Sequence, residues 1–345
     1  MLPGVRLEPM TARDVPPLRY LSAAAVGAAM PSLAERLRLA EQTMVALVED
    51  AELPPKIGVH PRPAGSFAHA MPAYRRGADP GGTDDLLGIK WIAGFPTNGA
   101  FALPAIHGLI LLTDPTTGIP TAILDAGPIT AERTAAISGV AIARFAPAVV
   151  GRDPRVTILG AGVQGRSHLA VLGLVLPGLE LTVFDRHPDR AIALAVAAER
   201  TQGIRSARPA ATAREATQSA DVVVTSVSFG PAEERQRLTD DWLGDDALVV
   251  AVDYATSVAA SVARGAVMFV VDERAQFLVN RDAGNFEGYP DPDATLGESI
   301  RADTTRPARG RVLVSHLGVG LADLVFANAI VGRALARGLG VVLPR

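Results

Sequence analysis

Gly160, Gly162 and Gly165 stand as G-x-G-x-x-G inside RVTILGAGVQGRSHLA (residues 155–170), where an apolar run gives way to glycines and then to polar residues. Alanine would fill such a turn at lower conformational cost, so three glycines need another reason. In a dinucleotide-binding turn the first glycine permits the tight bend and the second lets a pyrophosphate approach the backbone. The third lets helix and strand pack closely. The helix that follows offers unpaired N–H groups and partial positive charge to the phosphates. Gln164 adds a polar side chain within the turn. Asp185 ends the next apolar run, about 20 residues on, where an acid accepts hydrogen bonds from the adenine-side ribose. Its other role would be a helix N-cap before RHPDRA, and the two are compatible. An acid there favours NAD and repels the 2′-phosphate of NADP. Arg186 follows directly and leaves NADP open.

The elements that must hold this turn follow from pattern. RVTILG (155–160), LELTVFD (179–185), ADVVVTS (220–226), DALVVAVD (246–253) and AVMFVVD (266–272) are short apolar runs separated by helix-length segments such as PDRAIALAVAAER. Apolar on both faces, they predict parallel strands covered by helices: an α/β, Rossmann-type doubly wound sheet. Asp253 ends one of these strands, where ligands of open α/β sheets collect. The N-terminal third reads differently. PSLAERLRLAEQTMVALVEDAEL (31–53) has the apolar spacing of an amphipathic helix. LLGIKWIAGF, HGLILLTD and TAILDAG suggest strands of a mixed or antiparallel sheet, with PTTG (115–118) a turn between two of them. RRGADPGGTDD (75–85) reads as an exposed loop. After a polar, proline-broken stretch (280–310) the chain ends in a short strand, a glycine-rich turn and a helix, VLVSHLGVGLADLVFANAIVGRALARGLG. At 345 residues two domains are the default. The expected division is an α+β substrate-binding and dimerisation domain of residues 1–134 with 315–345, and an NAD(P)-binding Rossmann domain of residues 135–314.

Composition removes several classes of function. A formal net charge of −3 gives no reason to expect nucleic acid or an anionic membrane as partner. The chain has no cysteine, which excludes disulfides, thiolate metal sites and cysteine nucleophiles. The histidines at 60, 69, 107, 168, 187 and 316 show no metal-ligand spacing, so no metal is expected. Neither a G-x-S-x-G elbow nor a P-loop is present. The most apolar stretch, VLGLVLPGLELTVF, is cut by Pro177 and Glu180 before reaching membrane-spanning length. MLPGVRLEPMTARDV lacks an apolar signal core, and the expected location is the cytoplasm.

With these motifs in place the sequence resembles the ornithine cyclodeaminase/mu-crystallin family along nearly its whole length. The likeness is carried by AMPAY (70–74), DPTTGIPTAILDAGPITAERTAAIS (114–138), GAGVQG (160–165) and LGVGLADLVFANAI (317–330). The resemblance implies a homodimer of two-domain subunits that bind NAD(P) and act on a small carboxylate-bearing amino or imino acid. It places Lys90 on a substrate-contacting, catalytic lysine, Arg133 on an arginine near substrate and cofactor, and Asp253 on a catalytic acid/base. Lys56 falls where the family usually has an arginine for the substrate carboxylate, and Leu317 joins the substrate set. Val163, Val227 and His316 join the cofactor set with the glycines, Gln164, Asp185 and Arg186.

Other uses compete for some of these residues. Asp253 would be satisfied by backbone N–H groups, Arg133 would pair with Glu132 or Asp125, and Lys90 would be a solvated strand lysine. The chain also departs from the family. Lysine at 56 cannot form the bidentate fork of arginine. Tyr254 stands where many members continue Pro-Gly-Lys, and His316 where serine is frequent. The expected activity is NAD(P)-dependent hydride transfer at the Cα of an amino acid or its imine. A redox-neutral, ammonia-releasing cyclodeaminase is the nearest alternative, and a non-catalytic NAD(P)H or small-ligand binder the next.

Overall fold

The computed structural model describes residues 15–79, 81–82, 84–230 and 232–344, so the reading of residues 1–14 falls outside it. The chain enters through β1 (Leu18–Leu21), α1 (Ala23–Ala28) and α2 (Leu33–Glu49), the last capped by the Ser32 hydroxyl. Two short strands, β2 (Ala51–Glu52) and β3 (Ile57–Val59), precede β4 (Phe67–Arg75), β5 (Leu86–Gly94), β6 (Ile106–Thr113) and β7 (Pro120–Asp125). PTTG turns β6 into β7 because the Asp114 carboxylate accepts from the Thr116 and Thr117 amides, with Gly118 at φ +75°. Asp125 then caps α3 (Ala126–Phe145), accepting from the Gly127 amide at 2.9 Å.

From residue 155 the chain alternates strand and helix. The order is β8 (Arg155–Leu159), α4 (Val163–Val175), β9 (Leu179–Phe184), α5 (Pro188–Glu199), β10 (Ile204–Pro209), α6 (Ala213–Thr217) and β11 (Val222–Thr225). Then come β12 (Leu248–Ala251), α7 (Ala260–Gly265), β13 (Met268–Val271), α8 (Arg274–Asp282), β14 (Ala294–Thr295), α9 (Leu296–Arg301) and β15 (Val312–Ser315). Finally α10 (Gly320–Ala336) crosses back, and β16 (Val341–Leu343) pairs with β1. The first sheet runs β16-β1-β7-β6-β5-β4-β2, with β3 also on β4, and is mixed because β1 lies parallel to β7. The second runs β10-β9-β8-β11-β12-β15-β13-β14 with every pair parallel. This is the doubly wound α/β sheet expected, and the strand order reverses beside β8, at the glycine turn.

The valine runs explain why this sheet is covered on both sides. Val222, Val224, Leu248, Val250, Val312 and Val314 belong to one buried cluster that also holds α3 and α10 residues such as Ile137 and Phe326. Their neighbours Val223, Val249 and Leu313 face the other way, into a cluster with Phe269, Phe277, Phe286 and Tyr289. The first cluster runs on into Leu21, Ile110 and Leu124 of the other sheet, so one apolar core joins both sheets. Residue 134/135, the expected domain division, falls inside α3, which packs against both α2 and α4. β10 has no apolar run to announce it. It is an edge strand, mostly exposed, whose partner on one side only is β9. The polar stretch 280–310 holds β14 and α9, the latter started by a capping box between Thr295 and Glu298. No helix among the described residues is long and apolar enough to cross a membrane.

The three glycines of the turn differ in what surrounds them. Gly160 lies at φ +100°, and a Cβ there would sit 2.6 Å from the Ser226 carbonyl oxygen. A Cβ on Gly165 would sit 2.2 Å from the Gly160 carbonyl oxygen, while one on Gly162 would meet nothing within 4 Å. Gly165→Ala should therefore lower unfolding free energy by about 1–3 kcal/mol. Gly162→Ala should stay within about 0.5 kcal/mol of the parent protein. Urea unfolding midpoints of both variants check the contrast.

Candidate active site

Lys90 shows how the first sheet aims a charge inward. Along β5 burial alternates, so Lys90 shares the inner face with Leu86, Gly88 and Ile92 while Trp91 points out. It is not a solvated strand lysine: it is 1% exposed. Its Nζ donates to Asp323 Oδ1 at 2.9 Å, and Arg133 Nε donates to the same oxygen at 3.1 Å. Asp323, on α10, is wholly buried. Burial alone would raise its pKa, but Arg133 and Lys90 outweigh that and hold it below the usual carboxylate range. Burial brings Lys90 down to about 8, Asp323 opposing the shift.

Arg133 has neither partner considered for it from sequence. Glu132 is taken by Arg36, and Asp125 caps α3. With Nε on Asp323, its two Nη atoms make no hydrogen bond among the described residues and lie against Gly318. A Cβ on Gly318 would come within 2.5 Å of Nη1. The forked end of the guanidinium is thus free for a planar anion.

Lys56, half-buried just before β3, completes the cluster. Its ammonium donates to the Leu317 carbonyl at 2.5 Å and to the Tyr254 hydroxyl, and lies 5.0 Å from the Tyr254 ring centre. Burial lowers its pKa to about 8, Arg133 adds to the shift, and Asp272 and Asp323 oppose it. Leu317 therefore meets the cluster through its backbone carbonyl.

Asp253 stands apart from the cations. It makes no ion pair with Lys56, Lys90 or Arg133 and is held on the cofactor sheet instead. Oδ2 accepts from Ser257 Oγ at 2.7 Å, while the Thr225 hydroxyl and Val227 amide lie beside the carboxylate. Oδ1 is buried and makes no hydrogen bond, so backbone N–H groups do not saturate this acid. Burial raises its pKa. The two residues after it, Tyr254 and Ala255, both take left-handed backbone angles, φ +55° and +56°, a strained pair at the strand end.

The glycine turn opens onto a cleft of about 350 Å³ lined by Arg36, Gly162, Val163, Arg166 and Ser167 among others. α4 starts there at Gly162 with no side-chain cap on its N-terminal amides. Val163 is exposed on the cleft, and Gln164 Oε1 is a buried oxygen without a hydrogen bond. Asp185 does not cap α5, since His187 holds the cap position. Its carboxylate braces the turn, accepting from the Ala161 amide at 2.8 Å and the His187 amide at 2.8 Å. Each oxygen keeps a lone pair for a ribose hydroxyl, and Arg186 is exposed alongside. The open space at Gly162, the uncapped amides and the unpaired Gln164 oxygen fit a dinucleotide.

Sequence reasoning missed several residues that shape this site. Asp323 was hidden in an apolar helix, where a single acid among Leu321, Ala322 and Leu324 was the available sign. Asp272 ends β13 as Asp253 ends β12, and it accepts from the Gly318 amide at 2.7 Å, fixing the turn that carries Leu317. Ser138 and His168 join His316 in one hydrogen-bonded chain. Among the described residues no cluster of His, Asp and Glu could hold a metal. Asp323→Asn would leave two cations in the interior without a charged partner. It should cost about 3–5 kcal/mol of unfolding free energy, read from urea denaturation.

Comparison with known proteins places this chain among relatives. The chain is 32% identical to the nodulation efficiency protein NfeD of Rhizobium meliloti, over 95% of this chain and 99% of that protein. It is 28% identical to the ketimine reductase mu-crystallin of Mus musculus, over 76% of this chain and 79% of the relative. Its fold matches that of Thermococcus litoralis Delta(1)-pyrroline-2-carboxylate reductase, solved with NADH and L-proline. The TM-score is 0.80 at 23% identity, covering 94% of this chain and all of the other. The model of the ornithine cyclodeaminase/mu-crystallin family matches residues 21–337, and this chain belongs to that family.

Proposed function

We propose that this protein is an NAD(P)-dependent oxidoreductase that reduces a small imino acid, cyclic or acyclic, to the amino acid, or runs the reverse reaction. The observation that carries the reading is one set of groups along the C-terminal edge of the parallel sheet. A guanidinium fork on Arg133 and the Lys56 ammonium lie against the Leu317–Gly318 turn after β15, with Lys90 sharing Asp323, and a buried acid with an unused oxygen follows the neighbouring strand β12. The likeness to a ketimine reductase supports the same chemistry. Gly160, Gly162, Val163, Gln164, Gly165 and Asp185 would hold the dinucleotide, with Val227 and Arg133 toward its reactive end. When bound, the cofactor supplies a hydride to the imino carbon and is itself oxidised by two electrons.

The protein's part is to bind, orient and move a proton. Arg133 takes the substrate carboxylate bidentately, and Lys56 and Lys90 add positive potential without a fork of their own. Asp323 keeps Arg133 from turning away. Asp253 has its pKa raised by burial, holds a proton nearer to neutral pH than an exposed acid would, and exchanges it with the substrate nitrogen. Its Oδ1 is the atom free to do so.

The assay reads NADH and ammonia together across a panel of cyclic imino acids, pyruvate with amines, ornithine and lysine. Stoichiometric NADH oxidation by a cyclic imino acid is the expected result. Ammonia released from ornithine or lysine with catalytic NAD and no net NADH would make the protein a cyclodeaminase instead. Tight NADH binding without either would leave a binder. In Asp253→Asn, kcat should fall roughly 10²–10⁴-fold with NADH affinity nearly unchanged.

The same reading includes a homodimer. Ile57, Ala70, Trp91 and Leu109 oppose one another across β3, β4, β5 and β6, forming a row on the outer face of the first sheet. Ile57, Trp91 and Leu109 are 62%, 49% and 45% exposed, an apolar surface that a second copy would cover. Sedimentation velocity should show a dimer that Ile57→Glu with Trp91→Glu converts to monomer. A monomeric parent protein would overturn this part.

A further inference from the structure

The hydrogen bonds around His316 determine which of its nitrogens carries a proton. His168 Nδ1 lies 2.6 Å from the Gln164 carbonyl oxygen. A carbonyl only accepts, so that nitrogen holds the hydrogen and His168 Nε2 is a lone-pair acceptor in the neutral ring. His168 Nε2 lies 2.8 Å from Ser138 Oγ, so the single hydroxyl hydrogen of Ser138 is spent on it. Ser138 Oγ can then only accept from His316 Nε2, also 2.8 Å away, which must carry its ring's hydrogen. His316 Nδ1 is left as a bare lone pair. It is buried and makes no hydrogen bond, in a side chain only 2% exposed.

Neutrality of both rings fits their surroundings. Burial takes His168 down to about 4. Burial, then the charge of Arg133, puts His316 well below the usual histidine range. The ring also feels Lys56, and the next two residues touch the same cations: the Leu317 carbonyl holds Lys56, and Gly318 lies against the Arg133 guanidinium. The ring therefore lies beside the carboxylate end of the site. A buried acceptor without a donor is unfavourable, so an occupant bringing an N–H there is rewarded and one bringing an oxygen lone pair is repelled.

We propose that His316 Nδ1 reads the substrate nitrogen: it accepts the N–H of a protonated imino acid (an iminium) or of an amino acid whose carboxylate lies on Arg133. It thereby discriminates against ligands of the same shape with oxygen in that place, such as the 2-oxo acid. Ser138 and His168 are positioning residues that lock the imidazole in the accepting tautomer. The inference rests on the imino-acid reading above and adds what selects nitrogen.

Pyrrole-2-carboxylate and 2-furoate test it, being flat five-membered rings with the same carboxylate that differ in N–H against ring oxygen. Calorimetric titration of the enzyme–NADH complex should show a preference for pyrrole-2-carboxylate of roughly tenfold to hundredfold. His316→Gln keeps an amide for Ser138 but loses the acceptor at Nδ1, and should bring the ratio to about one. His316→Asn places an amide oxygen near the Nδ1 position and should preserve the preference. Ser138→Ala, which frees the tautomer, should reduce it. Equal affinities in the parent protein, or an unchanged ratio in His316→Gln, overturn the assignment, and an unchanged ratio in Ser138→Ala overturns the tautomer lock. Loss of NADH affinity in His316→Gln with the ratio intact would assign the lone pair to the cofactor's carboxamide and overturn the substrate role. A ratio near one together with turnover of a cyclic imino acid sinks the His316 role alone. Failure of both ligands to bind, with no such turnover, sinks the functional reading as well.

Discussion

One carboxylate oxygen holds the candidate site together. Asp323 Oδ1 receives Lys90 from β5 and Arg133 from α3 in an interior that admits almost no water. Two cations so close would repel each other, and burying either alone would be costly. With the acid between them, Lys90 is fixed and Arg133 is turned so that only its Nε is spent. The arrangement is a compromise between stability and readiness. Hydrophobic residues of the same volume could be as stable there, but they would present no fork to a ligand.

The cofactor sheet contributes groups of a different kind. Its strand ends supply Asp253, Asp272 and His316, each buried for a different purpose. Asp272 is satisfied by backbone amides and shapes the turn at Gly318. Asp253 keeps one oxygen unused, and His316 keeps one nitrogen unused. Unpaired buried atoms are rare in folded proteins, and two of them here lie at the ends of β12 and β15, which are neighbours in the sheet.

Much of this was legible in the residues. The parallel sheet was readable because Val222 to Val224 and Leu248 to Val250 are apolar at consecutive positions, which suits a strand covered on both faces. The glycine turn was readable because spacing and the acid at 185 agree. β10 was not, since Ile204–Pro209 alternates among polar residues at a sheet edge. The inward aim of Lys90 was not readable from its type, because strand register is a property of the whole sheet. Its partner Asp323 lies 233 positions away and owes its role to α10 crossing between the sheets. The tautomer of His316 depends on Ser138 and His168, remote in sequence and adjacent only after folding. Family likeness pointed to Lys90 and His316 but gave no account of their charge or proton state.

The placement of β15 and β16 has a consequence for how the chain is made. β15 fits between β12 and β13, β16 closes the edge at β1, and α10 between them carries Asp323. As the polypeptide leaves the ribosome, neither sheet has all its strands until residues 312–343 emerge. Lys90 and Arg133 wait for their counter-charge until the same moment. The long-range pairings that complete both sheets and seat Asp323 therefore form only after most of the strands they join have been made.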